Sequence, residues 1–333
     1  MSINILAIES SCDDTSASVI SDGEVLSNIV SVQTAHADYG GVIPELASRE
    51  HQIHIVPVVD QALKKAEIDK KDLSAIAFTR GPGLLGSLIV GVSFAKSMAL
   101  SLDIPLIDVH HMHAHVMAHF AIKPHPTFPF LCLTVSGGHT QIIKVTNYNE
   151  MEILGQTIDD AAGEAFDKTG KMLGLPYPAG PLIDKHAQQG AAIYKFPISR
   201  VDKLNFSFSG LKTSILYFLR ENVNKDQQFI DKELNNICAS VQSTIVDTLM
   251  IKLIKATEET GITSVSIAGG VSANSEMRQR LLAESKEREW ECFIPDFEYC
   301  RDNAAMIGVS GYYKYLNGDF CGQDVKAEAR LEF

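Results

Sequence analysis

One local layout occurs twice in this chain, and that repetition limits the folds open to it. Residues 4–8 form a short apolar run that ends in a polar turn, Glu9-Ser10-Ser11-Cys12-Asp13-Asp14-Thr15, and a second apolar run, 16–20, follows. Residues 130–135, the turn Ser136-Gly137-Gly138-His139-Thr140 and residues 141–145 repeat the order. Short apolar runs separated by Ser, Gly and Asp are strand signals. Asp22-Gly23 supplies a hairpin turn into 25–32, so the first copy begins an antiparallel sheet. A strand–turn–strand unit met twice predicts an internal duplication, with two lobes facing a shared cleft.

The rest of the chain alternates helix and strand patterns. Helical spacing covers 48–66, 87–100, 161–173, 181–189, 234–260, 275–286 and 303–316, and buried strands are expected at 73–79 and 264–268. The class is therefore α/β. No linker is rich enough in Pro or Gly to mark a clean break. The division is expected within 106–130, around the histidines and Pro124, Pro126 and Pro129. Drawn as lobes, this gives 1–110, joined by a C-terminal helix of about 303–333, and 111–302 with a helical insertion.

Composition narrows the class of function. With 333 residues and 45% hydrophobic content, each of two lobes can bury its own core. A net charge of −12 repels nucleic acid, so RNA contact would need a local basic patch or a partner. Lys64-Lys65 and Lys70-Lys71 read as solvated helix faces. Six widely spaced cysteines without a CxxC pair do not look like a disulfide framework. The first residues lack the basic start and long apolar stretch of a signal peptide. The most apolar region, 84–106, contains Lys96 and Asp103, which favours a buried helix followed by a strand over a membrane span. We expect a soluble cytoplasmic protein with no membrane attachment.

Five of the 11 histidines lie in His110-His111-Met112-His113-Ala114-His115-Val116-Met117-Ala118-His119. On a helix, residues four apart share a face, so His111 and His115 can chelate one metal, and His115 with His119 makes a second such pair. A zinc protease would need Glu directly after the first histidine, and Met112 stands there. A third ligand is required. Asp302, opening the last helix, is a candidate ligand and equally a candidate N-cap.

Glycine-rich turns after strands are the second theme. Ser136-Gly137-Gly138 and Gly269-Gly270 each follow an apolar run, and such turns let backbone N–H groups approach a phosphate. Neither matches a dinucleotide or P-loop fingerprint. Two such turns in a duplicated scaffold fit the actin-like ATPase and sugar kinase fold (ribonuclease H-like), in which two lobes bracket a nucleotide. Gly180 and Asp184 could approach a ribose, although Pro181 suits plain helix initiation. Ser207-Phe208-Ser209-Gly210-Leu211-Lys212-Thr213 reads as a loop with a buried Phe.

These blocks together resemble the TsaD family, the catalytic subunits of tRNA N6-adenosine threonylcarbamoyltransferase, once called glycoproteases. The matching stretches are Ile8 to Thr15, Gly40 to Glu45, Gly81 to Leu84, His111 with His115, and Val135 to Thr140. They continue with Asp167 to Lys171, Ser207 to Thr213, Gly269 to Asn274 and Asp302 to Met306. The resemblance implies transfer of threonylcarbamoyl from threonylcarbamoyl-AMP to the adenosine beside the anticodon, with release of AMP. It implies His111, His115 and Asp302 as ligands of one divalent metal per subunit, Fe2+ in preference to Zn2+. It further implies adenylate contacts at Thr134, Val135, Ser136, Gly137, Gly138, Asp167, Gly180, Asp184 and Asn274. The implied partners are the tRNA anticodon stem-loop, a smaller paralogue, TsaB, and an ATPase, TsaE. The family often has Glu-Gly where this chain has His113-Ala114, which adds a competing ligand, and Asp14 stands where Glu is common. From its place in the first turn, Asp13 is expected to assist proton transfer. A metalloprotease and a non-enzymatic ATP-binding scaffold are the competing readings.

Overall fold

A run as apolar as Asn-Ile-Leu-Ala-Ile-Glu belongs in a sheet covered on both faces. In the computed structural model, which describes residues 2–333 apart from the side chains of Thr34, Ala37 and Asp38, this run is β1 (Asn4–Glu9), buried throughout. β2 (Asp14–Ser21) pairs antiparallel with β1, and β3 (Glu24–Val32) antiparallel with β2. The connecting residues Asp22 and Gly23 have φ of 49° and 88°, the left-handed pair that a tight hairpin turn uses. α1 (Pro44–Ala66) leads to β4 (Ala75–Gly81), parallel to β1, and α2 (Leu85–Leu102) leads to β5 (Leu106–His110), parallel to β4. α3 (His111–Met117) follows β5 directly.

The second half repeats the plan. β6 (Phe130–Val135), β7 (Thr140–Asn147) and β8 (Glu150–Gln156) precede the helices α4 (Ala162–Met172), α5 (Gly180–Ala187), α6 (Ser209–Lys225) and α7 (Phe229–Thr260). β9 (Ser264–Ala268), α8 (Ser275–Arg288), β10 (Glu291–Phe293), α9 (Phe297–Cys300) and α10 (Ala304–Leu316) complete the chain. One sheet runs β3-β2-β1-β4-β5 and the other, read from its β8 edge, runs β8-β7-β6-β9-β10. In both, β1 or β6 has an antiparallel neighbour on one side and a parallel one on the other. The duplication read in the sequence is therefore a duplication of sheet topology.

The chain divides into two compact units. One holds the residues through His125, Asn147–Met151 and Pro295–Phe333; the other holds Pro126–Thr146 and Glu152–Ile294. The break after His125 lies later than the 110/111 line, so α3 and its histidines belong with the first sheet.

Within the first unit, Leu6, Ile8, Ile76 and Phe78 pack with Ile55, Val58 and Val59 of α1 and Val92 and Ala95 of α2. The alternate residues of β1 face α10. A Cβ at Gly308 would lie 2.4 Å from Ile20, and one at Gly311 would lie 2.6 Å from Ala77. Glycine at these two positions lets α10 rest directly on the strands, which fixes the end of the helix where Asp302 sits. Each such fully buried Leu or Ile contributes about 1.5–3 kcal/mol relative to exposure. α2 and α7 are each long and apolar enough to cross a membrane by composition. α7, however, is a core helix packed through Ile237, Val241, Ile245, Leu249 and Leu253, and α2 packs one face on β4 and α1.

Three short elements, β8, β10 and α9, fall in stretches that the sequence pattern does not mark, and one assigned stretch differs. β8 lies at a sheet edge with a mixed burial pattern, so it shows no clean alternation. The stretch read as a loop at 207–213 opens α6 at Ser209. Phe208 is buried as expected, but the Ser-Gly pair begins a helix, because Asp159 accepts hydrogen bonds from the N–H groups of Phe208 and Ser209 and from the Ser207 and Ser209 hydroxyls. That carboxylate supplies the acceptors a helix start lacks.

Candidate functional site

The histidine run folds as the end of β5 and the short helix α3. His110 caps α3: its Nδ1 accepts from the N–H of Met112 and of His113. His111 and His115 then share one face, their ring centroids 4.7 Å apart. The helix stops at Met117, and His119 lies in a 3-10 turn at Ala118–Phe120. The second expected pair, His115 with His119, therefore fails for want of another helical turn, and the cluster of potential ligands contains only His111, His115 and Asp302 among the described residues. His113 turns away from that cluster and packs against His110 and Phe333, at 4.6 and 4.2 Å between ring centroids. It is therefore not a competing ligand in this arrangement.

The question of whether Asp302 is cap or ligand is answered by its neighbour. Asn303 caps α10, accepting from the N–H of Met306, and is fully buried. Asp302 is left to face the histidines, its Oδ1 at 3.2 Å from His115 Nε2 and 3.6 Å from His111 Nε2. One ligand atom from each residue lies within 4.8 Å of the others.

The electrostatics favour a cation there. Both ring nitrogens of His115 are buried and make no hydrogen bond; the 3.2 Å approach to Asp302 is close but misses hydrogen-bond geometry. Burial alone would lower the His111 imidazole, but the Glu9 and Asp302 carboxylates overcome it and push it up to about 9. Burial would raise Asp302, yet His111 and His115 hold it well below the usual carboxylate range. Two imidazoles and a carboxylate that converge on one point, with positive charge favoured, fit a divalent metal ion.

Sequence reasoning missed the residues behind His111. Its Nδ1 lies 3.0 Å from Glu9 Oε2 and 3.3 Å from Ser11 Oγ. The only signal was an acidic residue closing an otherwise apolar strand. Asp13 and Asp14 occupy the same β1–β2 turn. Asp13 is half-buried. Asp14 is buried, with Oδ2 3.1 Å from Arg301 Nη2 and Oδ1 without a partner. Burial pushes it up to about 7, with Arg301 opposing.

The expected adenylate contacts all fall in the second unit. Thr134 and Val135 are buried on β6. At Ser136 the chain turns, its N–H donating to the His139 carbonyl at 2.8 Å. Gly137 and Gly138 are exposed, with nothing within 4 Å of where a side chain would begin. Gly163, at the start of α4, and Gly269, after β9, press against this turn so closely that a Cβ would meet the Ser136 and Val135 carbonyls. Asp184 and Asn274 are joined by Gln242, which donates to Asp184 Oδ1 and accepts from Asn274 Nδ2. Ser275 also donates to Asp184, and Asn274 caps α8. Asp167, on α4, accepts from the Ala179 N–H at 2.8 Å, immediately before Gly180 opens α5. Asp167 and Gly180 thus meet in one place and Asp184 and Asn274 in another, along one face of α5.

Comparison with known proteins bears on both halves. A family model described as "TsaD: tRNA N6-adenosine threonylcarbamoyltransferase" matches residues 24–309. A tRNA N6-adenosine threonylcarbamoyltransferase of Christiangramia forsetii is 62% identical, over 99% of this chain and 98% of its own length. Among solved structures, T. kodakarensis HypF superposes with a TM-score of 0.65 at 15% identity, covering 97% of this chain and 49% of HypF. The ROK hexokinase of Thermus thermophilus superposes with a TM-score of 0.50 at 13% identity, covering 95% of this chain and all of the hexokinase. At these identities the likeness concerns the fold, which is the actin-like one.

Proposed function

The chain belongs to the tRNA N6-adenosine threonylcarbamoyltransferase family, and on that premise we propose that it transfers threonylcarbamoyl from threonylcarbamoyl-AMP to N6 of the adenosine beside the anticodon. The tRNAs concerned read codons that begin with A. The observation that carries the mechanistic part is the convergence of His111, His115 and Asp302 on one point.

The bond that breaks joins the carbamoyl carbon to a phosphate oxygen; the bond that forms joins that carbon to N6, and AMP departs. N6 is a weak nucleophile because its lone pair is delocalised into the purine. Alignment of the two reactants can therefore supply much of the acceleration, up to about 7–11 kcal/mol. The open turn at Gly137 and Gly138 offers backbone approach to the adenylate phosphate, and Asp184, held by Gln242 and Ser275, offers its carboxylate to the ribose. Asp13, two residues from the Ser11 that touches His111, accepts the proton from N6. A divalent ion held by His111, His115 and Asp302, Fe2+ or secondarily Zn2+, would act as template and Lewis acid toward the threonylcarbamoyl oxygens.

With a net charge of −12, the chain is poorly suited to hold an anticodon stem-loop alone, which fits assistance by the paralogue TsaB and the ATPase TsaE in the cytoplasm. Depleting the chain from cells should remove threonylcarbamoyladenosine from tRNA nucleosides measured by mass spectrometry. An unchanged nucleoside profile would overturn the proposal.

A further inference from the structure

Glu9 is a carboxylate in the least hospitable place in the first unit. It is fully buried at the end of β1, and both of its oxygens are engaged. Oε1 accepts from the Ser11 N–H, and Oε2 accepts from the Thr79 hydroxyl at 2.6 Å while lying 3.0 Å from His111 Nδ1. Thr79 stands on β4, the neighbour of β1 in the sheet. The carboxylate is therefore anchored by two elements and has no freedom to turn toward another partner. A buried carboxylate is costly unless something nearby needs its charge, and the transfer chemistry described above leaves it without a task.

We infer that Glu9 is a positioning residue for the metal site: it holds the proton of His111 on Nδ1, aims Nε2 at the ion, and contributes the second negative charge. With Nδ1–H directed at Glu9 Oε2, the lone pair of His111 lies on Nε2, the atom that faces Asp302 at 3.6 Å. His115 has no such partner, since its Nδ1 makes no hydrogen bond, so the two ligands differ: one is oriented from behind and the other by packing alone. Glu9 and Asp302 bring two carboxylates to the two imidazoles, while the neighbouring Arg301 is engaged by Asp14 at 3.1 Å, so the acidic charge at the cluster suits a divalent cation. An outer partner of this kind typically changes metal affinity by about 10–100-fold.

The inference rests on the metal reading, and the experiment separates the two. Purified metal-free full-length protein is titrated with Co2+ under chelator competition, with the visible ligand-field bands recorded. Wild type should bind one equivalent. Glu9→Gln, which keeps the shape and loses the charge, should bind about 10–100-fold more weakly with a shifted band. Thr79→Val, which keeps the carboxylate but frees it, should lose less and covers the case in which Glu9→Gln does not fold. Glu9→Asp should recover part of the loss in affinity. Equal affinity and identical spectra in wild type, Glu9→Gln and Thr79→Val would overturn the role of Glu9 while leaving the metal site standing. No cobalt uptake by wild type would overturn the metal site, and the role of Glu9 with it.

Discussion

The β1–β2 turn and the β6–β7 turn occupy the same position in two copies of one sheet, and their chemistry is opposite. The first carries Glu9, Asp13 and Asp14 and is largely buried; Glu9 and Ser11 hold His111, and Arg301 reaches Asp14. The second carries Ser136, Gly137, Gly138 and His139, holds no acidic residue, and leaves both glycines open. A duplicated backbone thus presents a carboxylate-lined turn suited to a cation and a glycine turn suited to an anion. Strand order is shared, and the difference lies in the side chains and in the length of the turn: Glu9 pairs with Ser16 across the first, Val135 with Thr140 across the shorter second.

The largest expected effect removes the acid from the first turn. Asp13→Asn should lower single-turnover transfer by about 10²–10⁴-fold while adenylate binding persists. Transfer at the wild-type rate in that variant would remove Asp13 from the mechanism.

Asp14 tests the cost of placing acid in a buried turn. Its carboxyl is raised from the ordinary value near 4 to about 7, so folding favours the protonated form. The associated stability is present below about pH 4 and is lost as pH rises through 7. In metal-stripped protein, Asp14→Asn should therefore raise stability at pH 8 by up to about 4 kcal/mol and change little at pH 4. Denaturant unfolding at the two pH values checks this; equal effects at both would contradict it.

The smallest effect concerns the second turn. Gly137→Val adds bulk where nothing packs, so the melting temperature should hold while affinity for the adenylate falls about tenfold, near 1.4 kcal/mol. A variant that loses stability and keeps its affinity would show the turn to be structural.

How much of this was legible in the sequence follows from how local each feature is. β1 and β6 announced themselves because buried strands are apolar in consecutive residues, and β2 and β7 because each follows such a run across a polar turn. The pairing of His111 with His115 was legible because it depends only on helical spacing. The pairing of His115 with His119 failed because α3 ends one residue after Val116, a boundary that spacing does not give. α6 was hidden because the group that starts it, Asp159, lies about fifty residues earlier. Asp302 could not be told from a cap until Asn303 took that role. Glu9 was invisible as a partner because His111 comes from 102 residues away in sequence.

The central claim is that the acidic half of the duplication holds a divalent ion, and metal stoichiometry tests it most directly. Protein isolated under anaerobic conditions and analysed by elemental mass spectrometry should contain about one Fe2+ or Zn2+ per chain. His115→Ala, which removes a ligand whose ring makes no hydrogen bond in this structure, should contain almost none while remaining folded. Wild-type protein without stoichiometric metal, or His115→Ala retaining the full amount, would contradict the account.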